Sequence, residues 1–507
     1  MKSPRLLSPL CLIAFAASLA AAPLNRLVRS APEAQGVPAS AVLAYVNAAD
    51  AVVDSMHSFI LVRHGKVVAE GWWAPYGAAE PHTLFSLSKS FTSTAVGLAI
   101  DQGKLGLSDA VVGFFPKEAP ENPSANLKAM RVRDLLRMSS GQHGEDVDPF
   151  PFGTDQDLVR VFLSKPVAHK PGTHFFYNTA GTYMLAAIVQ KATGQTVRDY
   201  LMPRLFEPLG IEDPVWATSA QGISLGGFGL SLRTEDIACF GQLYLQRGQW
   251  NGRQLVPAAW VDEATSVQTS NGSDPESNWD QGYGYQFWRC PHGFYRGDGA
   301  FGQLCIVMPG QDAVLAVTAG TKDMATEINL VWKHLLPSFA AAPLPEDAEA
   351  DGLLAARLSR LCLPTVKGAA RSAREAAAAG RRYVFPKNRL GYESIVLEAG
   401  RDGGVPTLVL GVGGSDQRVA CGAGTWSRAT LATPGTQAGF GDYTPVAASG
   451  AWTSEDTYTA YICHYRTPFV DTLSLTFSGD RVDLTQAVNL SLFAGGEPIR
   501  LVGSATP

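Results

Sequence analysis

The stretch from Ser86 to Gly103 constrains this chain more than any other feature. Phe91, Ala95, Val96, Leu98, Ala99 and Ile100 stand there among small hydroxyl residues, and no charged face develops. A helix with no charged face is a buried helix, so the fold must surround it with other structure. Lys89 sits near its head, and a buried amine has reason to lose its proton. Ser86 lies three residues earlier, on the same helix face. A neutral amine beside a serine hydroxyl is one way to make a nucleophile. With 35 Ser and 13 Lys in 507 residues, S-x-x-K arises about once by chance. For the helix alone, an N-cap serine with a snorkelling lysine accounts for the pair equally well.

At 507 residues the chain exceeds one ordinary core, which points to two folded domains. A formal charge of −5, without long basic or acidic runs, gives no support to nucleic-acid binding or to an anionic membrane surface. Residues 1–22 read as a signal peptide: Lys2 and Arg5, an apolar run from Leu6 to Leu19, then Ala20-Ala21-Ala22. A secreted or periplasmic location is therefore expected, with no transmembrane anchor after cleavage. Six cysteines remain (Cys239, Cys290, Cys305, Cys362, Cys421 and Cys463), without the C-x-x-C spacing of a zinc site. Cys290 with Cys305 and Cys421 with Cys463 are possible disulfides on neighbouring strands, and free buried thiols are an equal reading.

Ser58–Trp73 reads as a β-hairpin turning at His64-Gly65-Lys66. Helices are expected from Ser86, over Arg131–Met138, Thr182–Thr193 and Asp236–Arg247. Strands return at Tyr283–Trp288, Leu304–Met308 and Ala313–Thr318. Strands at both ends with helices between imply one antiparallel sheet completed by distant segments. Asp347–Leu361 has helical spacing, and Val366–Ala379 reads as a solvated helix or connector. From Arg382 the period is two, as in Leu473, Leu475 and Phe477 alternating with Thr472, Ser474 and Thr476. Eight or so such runs make an antiparallel barrel or sandwich.

The company of Ser86 lifts it above chance. Tyr177-Asn178-Thr179 sits at a loop-to-helix junction, and Gly299-Ala300-Phe301-Gly302-Gln303 leads into an apolar strand. Val132–Gly141 and Gly227–Asp236 complete five segments in a fixed order. That order resembles the serine β-lactamases and penicillin-binding proteins, above all the class C-like branch with serine esterases and 6-aminohexanoate-oligomer hydrolases. The fold class implied is α+β: a five-stranded antiparallel sheet with a helical lobe over residues 23–342, a helical linker over 343–380, and an all-β domain over 381–507. The resemblance makes Ser86 the acylated nucleophile, Lys89 its proton acceptor and Tyr177 a second proton-transfer group. A phenol titrates near about 10, and a close ammonium would lower that. The oxyanion would lie between the N–H of Ser86 and one near Ala300 and Gly299, with Asn178 and Gln303 orienting substrate. Neither a metal nor an organic cofactor is expected.

Two departures narrow the chemistry. The family's Tyr-Ser-Asn is here Tyr177-Asn178-Thr179, leaving open which side chain faces the pocket. Its Lys-Thr-Gly is here Gly297-Asp298-Gly299, which removes the cation that holds a β-lactam carboxylate; Arg296 is a possible substitute, with Asp298 beside it. The expected substrate is a small ester or amide, with a β-lactam or D-alanyl peptide as the alternative. A non-catalytic recognition protein, using the C-terminal domain to bind an unknown partner, is the third reading. Gly222-Ile223-Ser224-Leu225-Gly226 matches the G-x-S-x-G elbow but lacks the strand and helix the elbow needs. His143, His174 and His292 read as loop or surface residues. Trp72-Trp73 and Trp288 read as core completion, with cleft lining as the alternative, and Trp426 and Trp452 as core.

Overall fold

Met56–Arg63 (β2) and Lys66–Trp72 (β3) form the expected hairpin, with His64 and Gly65 both left-handed at the turn. They belong to a computed structural model that describes residues 27–144, 150–400, 404–431, 444–491 and 497–506. The expected signal peptide lies outside the described residues. With Val28–Arg29 as β1, Trp288–Arg289 as β4, Tyr295–Gly299 as β5, Gln303–Met308 as β6 and Ala313–Ala319 as β7, the sheet order is β1-β3-β2-β7-β6-β5-β4. The five inner strands are antiparallel neighbours, and two-residue strands extend both edges to seven. One edge is parallel: Val28 pairs with Lys66.

Every residue of β2, β6 and β7 is buried, because both sheet faces are covered. Ile60, Val62, Cys305, Val307, Val314 and Ala316 face the helical lobe; Phe59, Leu61, Leu304, Ile306, Leu315 and Val317 face the Ala39–Val52 helix. This alternation separates the proposed disulfide partners. Cys290 belongs to one core face and Cys305 to the other, while Cys421 lies inside the C-terminal core and Cys463 outside it. None of the six described cysteines forms a disulfide.

The apolar helix runs Ser88–Asp101 and is surrounded as its composition requires, with only Ile100 and Asp101 reaching solvent. Phe91 stacks on Phe240 at 3.9 Å, and a Cβ on Gly97 would sit 2.4 Å from the Trp260 ring. The α-helix begins later than expected, since Phe85–Leu87 is a 3-10 turn holding Ser86 at its centre. Thr179–Thr193 begins earlier than expected, capped by Asn178. Tyr283–Trp288 is not a strand: Gln286 turns left-handed, and its amide donates to the Leu136 carbonyl (2.8 Å) and accepts from the Thr182 hydroxyl (2.7 Å). No described helix is long and apolar enough to cross a membrane.

The Ala348–Leu358 helix packs Ala350 and Leu354 against the core on the Ala39–Val52 side of the first sheet, and its Arg357 reaches Asn47 at 2.9 Å. Residues 366–379 are a connector with one short helix, Glu375–Ala378. Ten antiparallel strands follow, from Arg382–Val384 to Ile499–Ala505. A parallel bridge between Gly422 and Ser449 brings the two ends of this sheet together into a near-barrel. Leu473, Leu475 and Phe477 point into it, as the period-two pattern requires.

Candidate active site

Ser86, Lys89 and Thr179 converge where the apolar helix meets the N-terminus of Thr179–Thr193. The Lys89 Nζ lies 2.9 Å from Ser86 Oγ, 3.2 Å from Thr179 Oγ1 and 2.8 Å from the Gly227 carbonyl oxygen. Burial drives the Lys89 pKa down to about 7, and the Asp298 charge opposes that only in part. A neutral amine has two N–H donors and one lone pair. Gly227 O offers no proton, so it takes one N–H; Thr179 Oγ1 takes the other, and the lone pair is left for the Ser86 O–H. The same three oxygens would also accept an ammonium's three N–H donors, so it is burial that favours the deprotonated amine.

Tyr177 stands over the same group, with Lys89 Nζ 4.9 Å from its ring centroid. Its ring stacks on Trp288 at 5.3 Å, and its phenol is hydrogen-bonded to Ser86. The sequence reading expected a cation to depress this phenol. Burial instead raises its pKa, reinforced by Asp298, and the Ser86 hydrogen bond and Arg296 offset only part of the rise. With Lys89 neutral, the depressing ammonium is missing. Tyr177 is therefore a phenol here, a proton donor and relay rather than a standing base. Trp288, for which core and cleft were both open, is half-buried beside it, whereas Trp73 and Trp452 are buried.

Gly297 and Gly299 let β5 pass against the nucleophile. A Cβ on Gly299 would fall 2.0 Å from the Leu84 carbonyl oxygen, and one on Gly297 would fall 2.4 Å from the Leu87 side chain. β5 therefore runs directly against the Leu84–Leu87 turn that carries Ser86. Two bulky residues flank these positions in the left-handed region, Phe85 at φ 46° and Phe301 at φ 68°. Their rings meet edge-on at 5.5 Å. Phe469, from the C-terminal domain, packs 6.3 Å from Phe85 and 5.8 Å from Phe301, and Leu490 joins the same cluster. Further contacts fasten that domain here: Thr83 N–H donates to the Arg466 carbonyl (2.9 Å) and Tyr76 Oη to the Thr467 carbonyl (2.8 Å).

Three expected roles change. Asn178 does not face a substrate: its amide oxygen caps Gly181 N–H (3.1 Å) and its nitrogen donates to Gln142 (2.9 Å). Thr179 takes the pocket-facing place that the sequence left undecided. Gln303 is wholly buried, donating to the Ala300 (3.0 Å) and Ala319 (2.9 Å) carbonyls, so it positions the turn instead of touching a ligand. Arg296 is also wholly buried. It pairs with Asp298 (2.9 Å) and donates to the Asn278 carbonyl (2.7 Å) and the Cys290 sulfur (3.0 Å), so it does not replace the missing cation. Asp298 lies in β5 and also accepts from the Trp279 indole at 3.1 Å.

Ser224 of the G-x-S-x-G match is buried in a loop bridged to Thr218, and the chain continues into the strand Leu230–Leu232 rather than a helix. The glycines beside it serve Ser86 instead. The Gly226 carbonyl accepts from Thr92 (2.8 Å), and the Gly227 carbonyl holds Lys89. A Cβ on Gly227 would lie 2.7 Å from Thr179 Cγ2. His143 and His174, read as separate surface residues, meet with His169 in one cluster.

The Beta-lactamase family profile matches residues 24–329. A 6-aminohexanoate-dimer hydrolase of Paenarthrobacter ureafaciens is 25% identical over 298 residues, 53% of this chain and 74% of that protein. A solved structure from Bacillus anthracis, provisionally described as a 6-aminohexanoate-dimer hydrolase, superposes with a TM-score of 0.52 at 20% identity, covering 64% of this chain and 90% of that one. EstCE1, a hydrolase with promiscuous acyltransferase activity, superposes at 0.50 with 16% identity, over 58% of this chain and 98% of its own. At these identities the two structures establish the shared fold.

Proposed function

This chain belongs to the Beta-lactamase family and is a serine hydrolase, and from that premise we propose that it is exported and cleaves a small ester or amide through an acyl-enzyme on Ser86. The placement of Lys89 carries the proposal: a buried amine with its pKa brought down to about 7, its Nζ 2.9 Å from Ser86 Oγ. Lys89 takes the Ser86 proton as Oγ bonds to the substrate carbonyl carbon. The carbonyl oxygen becomes an oxyanion between the N–H groups of Ser86 and Ala300. Tyr177 passes its proton to the leaving alcohol or amine, the C–O or C–N bond breaks, and Lys89 restores the phenol. Water then attacks the acyl carbon, giving its proton to the Tyr177–Lys89 pair, and Ser86 is released protonated.

The sealed Arg296–Asp298 pair argues against lactams, because it leaves β5 with no free cation for a ring carboxylate. Export rests on the Lys2, Arg5 and Leu6–Leu19 pattern. The test is to incubate the protein with a short p-nitrophenyl ester, a fluorescent penicillin and a fluorophosphonate, and to map adducts by mass spectrometry. Ester turnover lost in Ser86→Ala, with the phosphonate on Ser86, is the expected result. Rapid penicillin turnover would overturn the substrate class, and no labelling of Ser86 by any probe would overturn the mechanism.

A further inference from the structure

Two strips of backbone run side by side beneath Tyr177. The Phe176 N–H donates to the Met138 carbonyl (2.9 Å), Gly172 N–H to Ser139 (2.7 Å) and His169 N–H to Gly141 (2.9 Å). Gly141 is left-handed at φ 88°, and a Cβ there would meet the His169 carbonyl oxygen at 2.3 Å, so glycine permits the approach. The pairing carries His143 from the first strip to His169 and His174 on the second. His174 Nε2 lies 3.0 Å from His143 Nδ1, the His169 and His174 rings stack at 4.2 Å, and one nitrogen from each of the three lies within 4.8 Å of the others. Three of the chain's nine histidines thus meet at one place reached by solvent.

We propose that His143, His169 and His174 form a binding site for a divalent late first-row transition metal, which clamps the two strips together next to Tyr177. Nitrogens on one tetrahedral zinc ion, each about 2.0–2.1 Å from it, lie about 3.4 Å from one another. The His143–His174 separation is already close to that value, and a small rotation of the His169 ring closes the set. Three imidazoles without a carboxylate select copper, nickel or zinc over calcium, magnesium or manganese. The fourth position opens to solvent, where water completes the shell. His143 also touches Phe176, ring centroids 5.2 Å apart, so a bound ion stiffens the segment that delivers Tyr177.

The test uses tag-free full-length protein, stripped with chelator and titrated with zinc sulfate by calorimetry. Copper(II) electron paramagnetic resonance reports the number of nitrogen ligands. One ion per chain at micromolar affinity or tighter is expected, with a three-nitrogen copper spectrum. His169→Ala and His174→Ala should each weaken zinc at least tenfold, His292→Ala should leave it unchanged, and all three should keep metal-free ester turnover. A thermal shift with zinc should appear in wild type and vanish in His143→Ala/His174→Ala. Zinc affinity unchanged in that double variant, or no binding to wild type at 100 µM zinc (about 5 kcal/mol of affinity), would overturn the proposal.

Discussion

The protonation state of Lys89 gives the sharpest prediction, because it fixes both a rate profile and a stability profile. With a pKa of about 7, the neutral fraction is about 9% at pH 6, 50% at pH 7 and 91% at pH 8. The kcat/KM for a p-nitrophenyl ester, corrected for spontaneous hydrolysis, should therefore rise about tenfold from pH 6 to pH 8 and level off, half-maximal near 7. Asp298→Asn removes the charge that holds the value up, so its midpoint should move lower. Lys89→Arg cannot shed its proton and should lose acylation at every pH.

Stability follows from the same shift with a definite sign. The unfolded lysine titrates at 10.5 and the folded one near 7, so between these values the unfolded chain binds the extra proton. Stability must then rise with pH across that window, by about 5 kcal/mol in all, and the burial cost stands in full below pH 7. Urea unfolding of wild type and Lys89→Met, compared at pH 7 and pH 10, isolates this slope. A rate midpoint at or above 9, together with identical pH slopes in the two proteins, would show that the amine is protonated as it works and refute the reasoning.

Four more outcomes are expected. Tyr177→Phe should lower kcat by roughly 10²–10⁴-fold, the range of a lost acid–base group, with little change in KM; steady-state kinetics with an amide checks it. Phe469→Ala should cost about 3–5 kcal/mol, as for other buried aromatics, and lower kcat at least tenfold although the residue lies on the other domain; denaturation and ester kinetics measure the two effects. Glu327 is fully buried and held protonated far above the usual carboxylate range by burial and by Asp298. The folded state therefore keeps a proton the unfolded state loses, stability falls as pH rises above 4.5, and Glu327→Gln should flatten that fall in melts across pH 5–9. Arg296→Met should destabilise by about 3–5 kcal/mol by leaving Asp298 buried and unpaired, and Arg296→Met/Asp298→Leu should recover most of it.

What the sequence revealed was set by short-range chemistry. The missing charged face around Ser86 was enough to bury Lys89, and the alternation at Leu473, Leu475 and Phe477 was enough to build one wall of a barrel. The hairpin at His64-Gly65 was legible for the same reason. Other features depend on faces that only the folded sheet defines. Cys290 and Cys305 lie close along the chain yet on opposite sides of the sheet, so spacing suggested a disulfide that the fold does not make. Asn178 and Thr179 are adjacent, and the helix start decides which is spent as a cap. The histidine cluster needs two strips paired across about thirty residues, which no local pattern announces.

The C-terminal domain is the part whose contribution the sequence concealed most. A phenylalanine at positive φ costs about 1–3 kcal/mol of backbone strain, and two such residues bracket the catalytic elements, Phe85 before Ser86 and Phe301 after Ala300. Strain of that size persists only where surroundings over-determine the conformation. Here the surroundings are Phe469 and Leu490, which reach from the near-barrel to close an aromatic cluster over both positions. The prediction is that the hydrolase domain alone holds the Phe85 and Phe301 turns less firmly than the whole chain does. Glu80 adds a charged tether, accepting from Arg428 (2.8 Å) and Arg466 (3.0 Å) of the same domain, but such partly exposed pairs contribute little beside buried aromatics. The expected route from the near-barrel to catalysis is the Phe469 ring and Leu490, packed on the two residues with positive φ. A deletion that removes it should thus impair kcat even in a fragment that still folds, and supplying the barrel in trans should not restore turnover when Phe469 is alanine.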